Sequence, residues 1–194
     1  IDSSWKAHIA HCLQSTHTKK LVLHAPGEHR LSRLADAIQQ AHSMKRSTLV
    51  LTGEIARASW LTQQLSRLTG LQITLAHPSS QSARWPQNQG QTPSVVVGTR
   101  SAIFSPLQSI GLIWVEGEED PSLKEPQEPR YNAREVASLR AESEHALVVL
   151  ASAHPSLESR FDTEAEIHHV PQEAALQPTI ELVDLRNESA RTLL

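Results

Sequence analysis

Six short runs of mostly apolar residues alternate with segments of helical periodicity through most of this chain. The runs lie at residues 21–24, 48–51, 73–76, 94–97, 112–115 and 147–150. Continuous apolar runs are typical of strands buried on both faces, as in a parallel sheet that is covered by helices. The pattern therefore predicts an α/β fold in three layers, with a mainly parallel sheet in the middle.

Between these runs, apolar residues recur at the spacing of an amphipathic helix. Four helix faces are predicted in this way: Trp5, Ile9 and Leu13; Leu31, Leu34, Ala35 and Ile38; Trp60, Leu61, Leu65 and Leu68; and Val136, Leu139 and Ala141. Residues 156–161 are predicted to form a short additional helix. The polar stretch at 77–93 is predicted to be a loop or an irregular helix, and residues 179–185 one further strand.

The composition limits the kinds of partner that the chain can bind. Its 194 residues are 39% hydrophobic and carry a formal net charge of -3. The chain can therefore build a core, but it lacks the basic excess that is typical of a non-specific nucleic-acid binder. Any contact with DNA must therefore use a local patch of residues or rely on a second domain that is missing from this chain.

Cysteine content and hydropathy indicate the cellular compartment. Cys12 is the only cysteine, which excludes an internal disulfide and a cysteine-based zinc site within this chain. No signal peptide is recognisable, and no apolar run approaches the roughly 18 residues of a membrane span. We therefore expect a cytoplasmic protein without a membrane partner. Because the chain opens on Ile1 and its last residues carry no terminus signal, we also expect a segment of a longer protein.

Five sequence blocks carry candidate functional residues. All of them except the block at 129–134 lie at the predicted carboxyl ends of strands, where parallel sheets bind their ligands. They read H-A-P-G-E-H-R-L-S at 24–32, G-T-R-S-A-I-F-S-P-L at 98–107, V-E-G-E-E-D at 115–120, P-R-Y-N-A-R at 129–134 and A-S-A-H-P-S-L-E-S at 151–159. In their order and spacing, the last four blocks resemble the DNA-contacting and nucleotide-contacting blocks of the PriA family of primosomal replication-restart helicases.

The resemblance covers roughly residues 1–188 and is strongest over 95–159. It implies a RecA-like (P-loop NTPase-type) lobe, the first lobe of a superfamily 2 helicase, at 1–163. A linker at 164–194 would lead into an absent second lobe. The family's zinc site and its N-terminal DNA-binding domain would also lie outside this chain. The implied partners are forked or single-stranded DNA and other replication-restart proteins of the primosome.

The block at 24–32 departs from the phosphate-binding pattern of the family. A P-loop cradles phosphates with backbone N–H groups, and its Lys and hydroxyl residue reach the terminal phosphates and Mg²⁺. The resemblance marks Gly27, Arg30 and Ser32 as a degenerate nucleotide site, in which Arg30 takes the Lys position and Ser32 lies one residue late. Pro26 also removes an N–H donor. ATP with Mg²⁺ is therefore disfavoured, and we expect no cofactor in this chain.

The acidic block at 115–120 is altered as well. The family shows V-D-E-E-H-D, in which the Asp holds Mg²⁺ and the next Glu orients the attacking water. Here Glu116, Glu118 and Asp120 keep carboxylates, but Gly117 has no side chain at the position of that Glu. These three carboxylates are degenerate candidates and no residue is assigned as catalytic, so the sequence leaves open whether the chain is an ATP-dependent enzyme.

The block at 98–107 is nearly intact and resembles the family's contact with the DNA backbone. Gly98 would allow close approach, Thr99 and Ser101 offer hydroxyls, and Arg100 suits a bidentate contact with a phosphate. Glu54, in G-E-I-A where the family has P-E-I-A, is assigned to the same surface. The alternative interpretation is a strand end whose arginine pairs with the acidic loop.

Two further blocks resemble parts that sense DNA and couple the lobes. In the loop at 121–134, Lys124 and Arg130 are candidate phosphate contacts, and Tyr131 is a candidate for stacking on a base. In the block at 151–159, Ser152 and His154 occupy positions that link the two lobes in active members. His154 replaces a Thr, and a structural role for this histidine is the alternative.

The sequence leaves three functions open. The first is a replication-restart protein that binds DNA with lost or impaired ATP hydrolysis and unwinding. The second is an active, divergent 3'-5' DNA helicase that uses Arg30 and Glu116. The third is a protein-interaction scaffold that keeps the fold for its surface alone.

Overall fold

The computed structural model of the chain describes residues 3–15, 19–76 and 93–171. These residues form seven strands: β1 (Lys19–His24), β2 (Ser47–Thr52), β3 (Ile73–Ala76), β4 (Val95–Gly98), β5 (Ile110–Glu116), β6 (Leu147–Ser152) and β7 (Ala165–His169). They also form five α-helices: α1 (Ser3–Gln14), α2 (Gly27–Ser43), α3 (Ile55–Thr69), α4 (Ala133–Glu144) and α5 (Leu157–Arg160). Short 3₁₀ helices span Arg100–Phe104 and Pro121–Leu123.

The strands make one sheet in the order β3-β4-β2-β5-β6-β1-β7, and every neighbouring pair is parallel. This confirms the predicted parallel α/β class. Because all the strands run in one direction, their carboxyl ends share one edge of the sheet. The segments that follow β1, β2, β4, β5 and β6 therefore meet at that edge, which positions the candidate site.

Two apolar cores lie on opposite faces of the sheet. Helices α1, α2 and α3 bury side chains on one face, including Trp5, Ile9, Leu34, Ile38, Leu61 and Leu65. Helix α4 and the 3₁₀ helix Arg100–Phe104 cover the other face, mainly through Ala133, Ala137, Ala141, Ala102 and Ile103. The result is the three-layer arrangement that the sequence predicts. No helix within the described ranges is long and apolar enough to cross a membrane.

Helices α3 and α4 pack through narrower faces than predicted. Helix α3 buries Leu61 and Leu65, but Trp60 and Leu68 are exposed, and on α4 Leu139 is exposed. The predicted faces were therefore wrong at these three positions. The physical reason is that small residues such as Ala58 on α3 already bring the helix backbone onto the sheet, so the neighbouring large residues stay outside.

Strand β7 is an edge strand that the sequence pattern does not reveal. It pairs with β1, so the sheet extends past the boundary that we expected at residue 163. Its side chains are mostly exposed, and Ile167 is the one large apolar residue among them. The predicted loop at 77–93 (apart from Pro93) and the predicted strand at 179–185 lie outside the described residues.

Candidate functional site

The connection between β1 and α2 is a turn of two residues, Ala25 and Pro26. Pro26 is the N-cap residue of α2, and its carbonyl accepts a hydrogen bond from the backbone N–H of Arg30 at 3.0 Å. Gly27 is already the first helical residue. A P-loop needs a longer run of free N–H groups to surround a phosphate, so this segment has the geometry of a simple strand-to-helix turn.

Arg30 turns back across the sheet edge and pairs with Glu116, the last residue of β5. Its Nε lies 3.0 Å from Glu116 Oε1, and its Nη1 donates to the carbonyl of Ala25 at 2.8 Å. Arg57 on α3 reaches the same carboxylate oxygen at 3.2 Å. The indole N–H of buried Trp114 donates to Glu116 Oε2 at 3.2 Å. Two guanidinium groups and an indole thus surround one buried carboxylate.

In this arrangement the residues at the positions that would meet phosphate and Mg²⁺ pair with each other. The side chain of Glu116 is 5% exposed and both of its oxygens have partners: Oε1 pairs with Arg30 and Arg57, and Oε2 accepts from the indole of Trp114. Arg30, at the position of the phosphate-binding Lys, is 12% exposed and neutralised by Glu116. Ser32 is exposed, and its hydroxyl donates to the carbonyl of His29 at 3.1 Å. The structure therefore brings Arg30 and Glu116 together and leaves Ser32 outside the cluster.

Glu118 has a structural environment. Its fully buried carboxylate accepts hydrogen bonds from Arg134 Nη1 at 2.9 Å, from the backbone N–H and hydroxyl of Ser156 at 2.6 and 3.0 Å, and from the hydroxyl of Ser159 at 2.9 Å. These bonds connect the loop after β5 with α4 and with the start of α5. Arg134 is the last residue of the loop at 121–134, and its guanidinium is engaged in this hydrogen bond to Glu118.

Gly117 and Asp120 shape the loop between β5 and the 3₁₀ helix Pro121–Leu123. Gly117 has a φ of +67°, and its N–H donates to the carbonyl of Ala151 at 2.8 Å. Asp120 caps the 3₁₀ helix by accepting hydrogen bonds from the backbone N–H and the hydroxyl of Ser122, at 2.9 and 2.6 Å. The carboxylates at 116, 118 and 120 thus have three separate sets of partners rather than a shared ligand.

The two blocks that the sequence assigns to DNA lie side by side. Arg100 Nε donates to Glu125 Oε2 at 2.8 Å, and this hydrogen bond lowers the pKa of the Glu125 carboxyl. Glu125 belongs to the loop at 121–134, whose ends are held by a bridge between Lys124 and Asn132. Arg100 therefore pairs with an acidic residue, as in the alternative interpretation, although the partner comes from the neighbouring loop.

The same surface carries an aromatic pair and two exposed cations. The rings of Tyr131 and Phe104 meet edge to face at 5.1 Å, and burial raises the pKa of the Tyr131 hydroxyl. Lys124 and Arg130 are exposed. Arg130 Nε lies 3.2 Å from Oε1 of Glu128, which is also exposed. Phe104, which is 61% exposed, was not among the predicted site residues. We call this group, together with Glu54 and residues 98–101, the predicted DNA surface.

Packing within the chain requires glycine at Gly98 on this surface and at Gly53 beside it. A Cβ on Gly98 would lie 2.6 Å from the Cβ of Ala102 and 3.0 Å from Ala76, so close packing of the chain itself requires glycine there. Gly53, next to the exposed Glu54, faces the carboxylate of Asp120 in the same way. Thr99 is half-buried and Ser101 is exposed beside Arg100.

Ser152 and His154 sit where β6 leaves the sheet. Ser152 is fully buried, and its hydroxyl accepts a hydrogen bond from the backbone N–H of His154 at 2.7 Å. The side chain of His154 is exposed at the edge of the sheet. Sequence reasoning missed Arg57 altogether, because its contact with Glu116 joins α3 to β5 and no local pattern signals it.

Comparison with known proteins identifies relatives in bacteria. The chain is 36% identical over 157 residues to the replication restart protein PriA of Synechocystis. The aligned region covers 74% of this chain and 19% of the relative. PriA of Bacillus subtilis is 29% identical over 190 residues, covering 93% of this chain and 24% of the relative. PriA of Helicobacter pylori is 36% identical over 160 residues, covering 77% and 25%. The chain therefore spans about a fifth to a quarter of the length of these relatives. No protein-family model matches it.

Solved structures show the same architecture. Dbp5 of Saccharomyces cerevisiae, bound to Nup159, Gle1, IP6 and ADP, superposes with a TM-score of 0.58 at 12% identity, covering 89% of this chain and 49% of that one. A DEAD box protein from Methanococcus jannaschii gives a TM-score of 0.52 at 12% identity, covering 85% and 48%. At these identities the similarity concerns the fold alone, which is that of a RecA-like helicase lobe.

Proposed function

Because this chain belongs to the family of the replication restart protein PriA, we propose that it is a helicase-type lobe that contacts DNA during replication restart without hydrolysing ATP. The proposal includes assembly with other replication-restart proteins in the primosome. It adopts the first of the three functions that the sequence leaves open. The loss of ATP hydrolysis and the contact with DNA each have their own test.

The observation that carries the proposal is the closed cluster of Arg30, Arg57 and Glu116. In a working site, the cation of the turn would meet phosphate and the carboxylate of the strand would meet a metal ion. Here the two groups neutralise each other at 3.0 Å, and Arg57 adds a second cation at 3.2 Å. Binding of nucleotide would require breaking a buried ion pair, which costs several kcal/mol.

Titration calorimetry with Mg-ATP and Mg-ADP tests the loss of nucleotide binding. We expect no binding in the sub-millimolar range, because Arg30 and Glu116 are committed to each other. Gly117→Glu should not restore binding, because the ion pair between Arg30 and Glu116 remains. The added side chain would have open space around its Cβ, but the φ of +67° at this position would strain it. Sub-millimolar binding that Arg30→Leu abolishes would contradict the proposal and favour the divergent helicase.

The DNA contact is supported by the way the blocks at 98–107 and 121–134 join at Arg100 and Glu125. The surface holds acidic as well as basic residues, so binding must be local. Arg100 donates one hydrogen bond to Glu125. Phosphate oxygens can replace the carboxylate as its partner, since a guanidinium can donate two parallel hydrogen bonds to a phosphate. The exposed Lys124 and Arg130 lie on either side of Glu125 in the sequence and can contact neighbouring phosphates.

Fluorescence anisotropy with a labelled single-stranded oligonucleotide tests that contact. Arg100→Ala should weaken binding and reduce the slope of log K against log salt by about 1, because one phosphate contact is lost. Arg67→Ala is the matched control: it removes the same charge from an exposed position in the last turn of α3, far along the helix from the carboxyl edge. Equal effects of the two variants, or no salt-dependent binding by the wild type, would favour the scaffold function instead.

A further inference from the structure

Strand β7 leaves one edge of the sheet open within the described residues. It is the last strand in the order of the sheet, and among the described strands it pairs only with β1. Its sequence contains no lysine and no proline, and its register with β1 has no bulge, although these are the features with which edge strands usually block further pairing. Ile167, in the middle of the strand, is 51% exposed. The edge is therefore able to accept another strand.

The backbone groups of β7 that face outward follow from its ladder with β1. The N–H of Val170, directly after the strand, donates to the carbonyl of His24 at 2.8 Å. In a parallel ladder, alternate residues turn both their N–H and their C=O toward the same neighbour, so the even-numbered residues of β7 face β1. The N–H and C=O groups of Ala165, Ile167 and His169 consequently point away from the sheet. They form a row of hydrogen-bond donors and acceptors along the open edge.

The side chains of β7 alternate between the two faces of the sheet. Glu166 and His168 lie on the face that α1 covers: His8 Nε2 is 3.5 Å from Glu166 Oε1, and the rings of His168 and Trp5 have centroids 5.2 Å apart. The side chain of Glu166 is nevertheless 63% exposed. Ile167 points to the opposite face. The strand thus carries an acidic residue and an imidazole at equal distances on either side of a central apolar residue.

We propose that the open edge of β7 is a docking surface for a second copy of this chain, whose β7 pairs antiparallel to it about a two-fold axis at Ile167. A two-fold axis presents the same strand to itself, so Glu166 lies across from His168 of the second copy at two equivalent places. Opposite-charge pairs at such positions stabilise a sheet, and an imidazole N–H can donate to a carboxylate. The outward backbone groups of the two strands bond to each other. This surface lies apart from the Arg30–Glu116 cluster and from the predicted DNA surface, so the inference does not depend on the proposed function.

Charge selects this register among the neighbouring ones. An axis one residue nearer the start of the strand would place Glu166 directly against Glu166 of the second copy, and like charges at opposed positions are destabilising. An axis one residue nearer the end would oppose the two His168 side chains and leave Glu166 without an imidazole across from it. Because β7 has only five residues, the interface is much smaller than the roughly 800 Å² per partner of a standard one, and we expect a weak dimer with a dissociation constant of about 0.1–1 mM.

A concentration series followed by NMR tests the pairing. As the 194-residue chain is concentrated from about 20 µM to about 2 mM, the backbone amide signals of Ala165, Ile167 and His169 should shift, because their N–H groups gain acceptors across the two-fold axis. The amide signals of Glu166 and His168 should shift less, since β1 already holds these groups. Translational diffusion in the same samples should slow as the dimer forms. A chain that stays monomeric over this range, including one whose edge is covered by another of its own segments, would overturn the proposal.

Charge variants at Ile167 test the two-fold axis itself. Ile167→Lys and Ile167→Glu each place like charges opposite each other, so each variant alone should associate about tenfold more weakly than the wild type. An equimolar mixture of the two variants should recover most of the wild-type affinity, because the introduced charges then face each other with opposite signs. Leu139→Lys is the matched control: Leu139 is 65% exposed on α4, and its substitution should leave the association unchanged. A dimer that persists in both single variants, or a mixture that associates no better than either variant alone, would overturn the assignment of this surface.

Discussion

Replacing Glu118 by alanine is expected to destabilise the chain by about 3–5 kcal/mol, the range found when one member of a buried ion pair is removed. The side chain of Glu118 is fully buried, and that of Arg134 is only 13% exposed. Without the carboxylate, the guanidinium keeps Ser156 Oγ at 2.8 Å as a side-chain partner, but no counter-charge. The backbone N–H of Ser156 and the hydroxyl of Ser159 lose their acceptor at the same time.

Urea unfolding at pH 7 measures this effect directly. The control is Glu119→Ala, which removes the same charge from the next residue, where the side chain is exposed; its effect should stay within about 0.5 kcal/mol. Glu118→Gln should fall between the two, because the amide keeps the shape and one acceptor oxygen. A loss below about 1 kcal/mol in Glu118→Ala would mean that the carboxylate does not hold these elements together.

The partners of Glu118 give this carboxylate of the acidic block a structural role that does not depend on nucleotide chemistry. Its partners come from the loop after β5, from α4 and from the turn before α5, so it fixes the relative position of three segments at the carboxyl edge. The loop after β5 continues to Ser122, whose carbonyl accepts a hydrogen bond from Arg100 of the predicted DNA surface. Glu118 therefore supports the position of this surface without taking part in a reaction.

The core of the fold could be predicted from the sequence because its strands are continuous apolar runs. All residues of β2, β5 and β6 are buried, and such runs have few alternatives to the middle of a parallel sheet. Strand β7 could not be predicted, since its sequence A-E-I-H-H has one large apolar residue and its order comes from backbone pairing with β1. The formation of an edge strand such as β7 depends on pairing with a neighbouring strand, and the sequence of the edge strand alone does not predict that pairing.

The candidate site was predictable in position but not in its pairings. The blocks of sequence indicated that Arg30 and Glu116 lie at one edge, and the structure places them there. That they bind each other, with Arg57 as a third member, depends on the packing of α2 and α3 around the end of β5. Likewise the contact between the rings of His24 and His169 joins residues that are 145 positions apart, and it forms only because β7 pairs with β1.

Glu116→Gln is expected to destabilise the chain by about 3 kcal/mol, because Arg30 then becomes a poorly solvated guanidinium without a counter-charge. Glutamine preserves an acceptor oxygen for the indole N–H of Trp114, so the loss reports on charge pairing rather than on that hydrogen bond. Arg57→Ala should cost less than about 1 kcal/mol, since Arg57 is 37% exposed and water screens its interaction with Glu116.

The double variant Arg30→Met with Glu116→Gln isolates the ion pair. Removal of both charges should recover most of the stability that Glu116→Gln alone loses, which gives a coupling energy of about 2 kcal/mol between the two residues in a double-mutant cycle. Urea unfolding of the four proteins measures it. This coupling is the free energy that any phosphate would have to offset before it could pair with Arg30, so a coupling near zero would remove the physical basis for a closed nucleotide site.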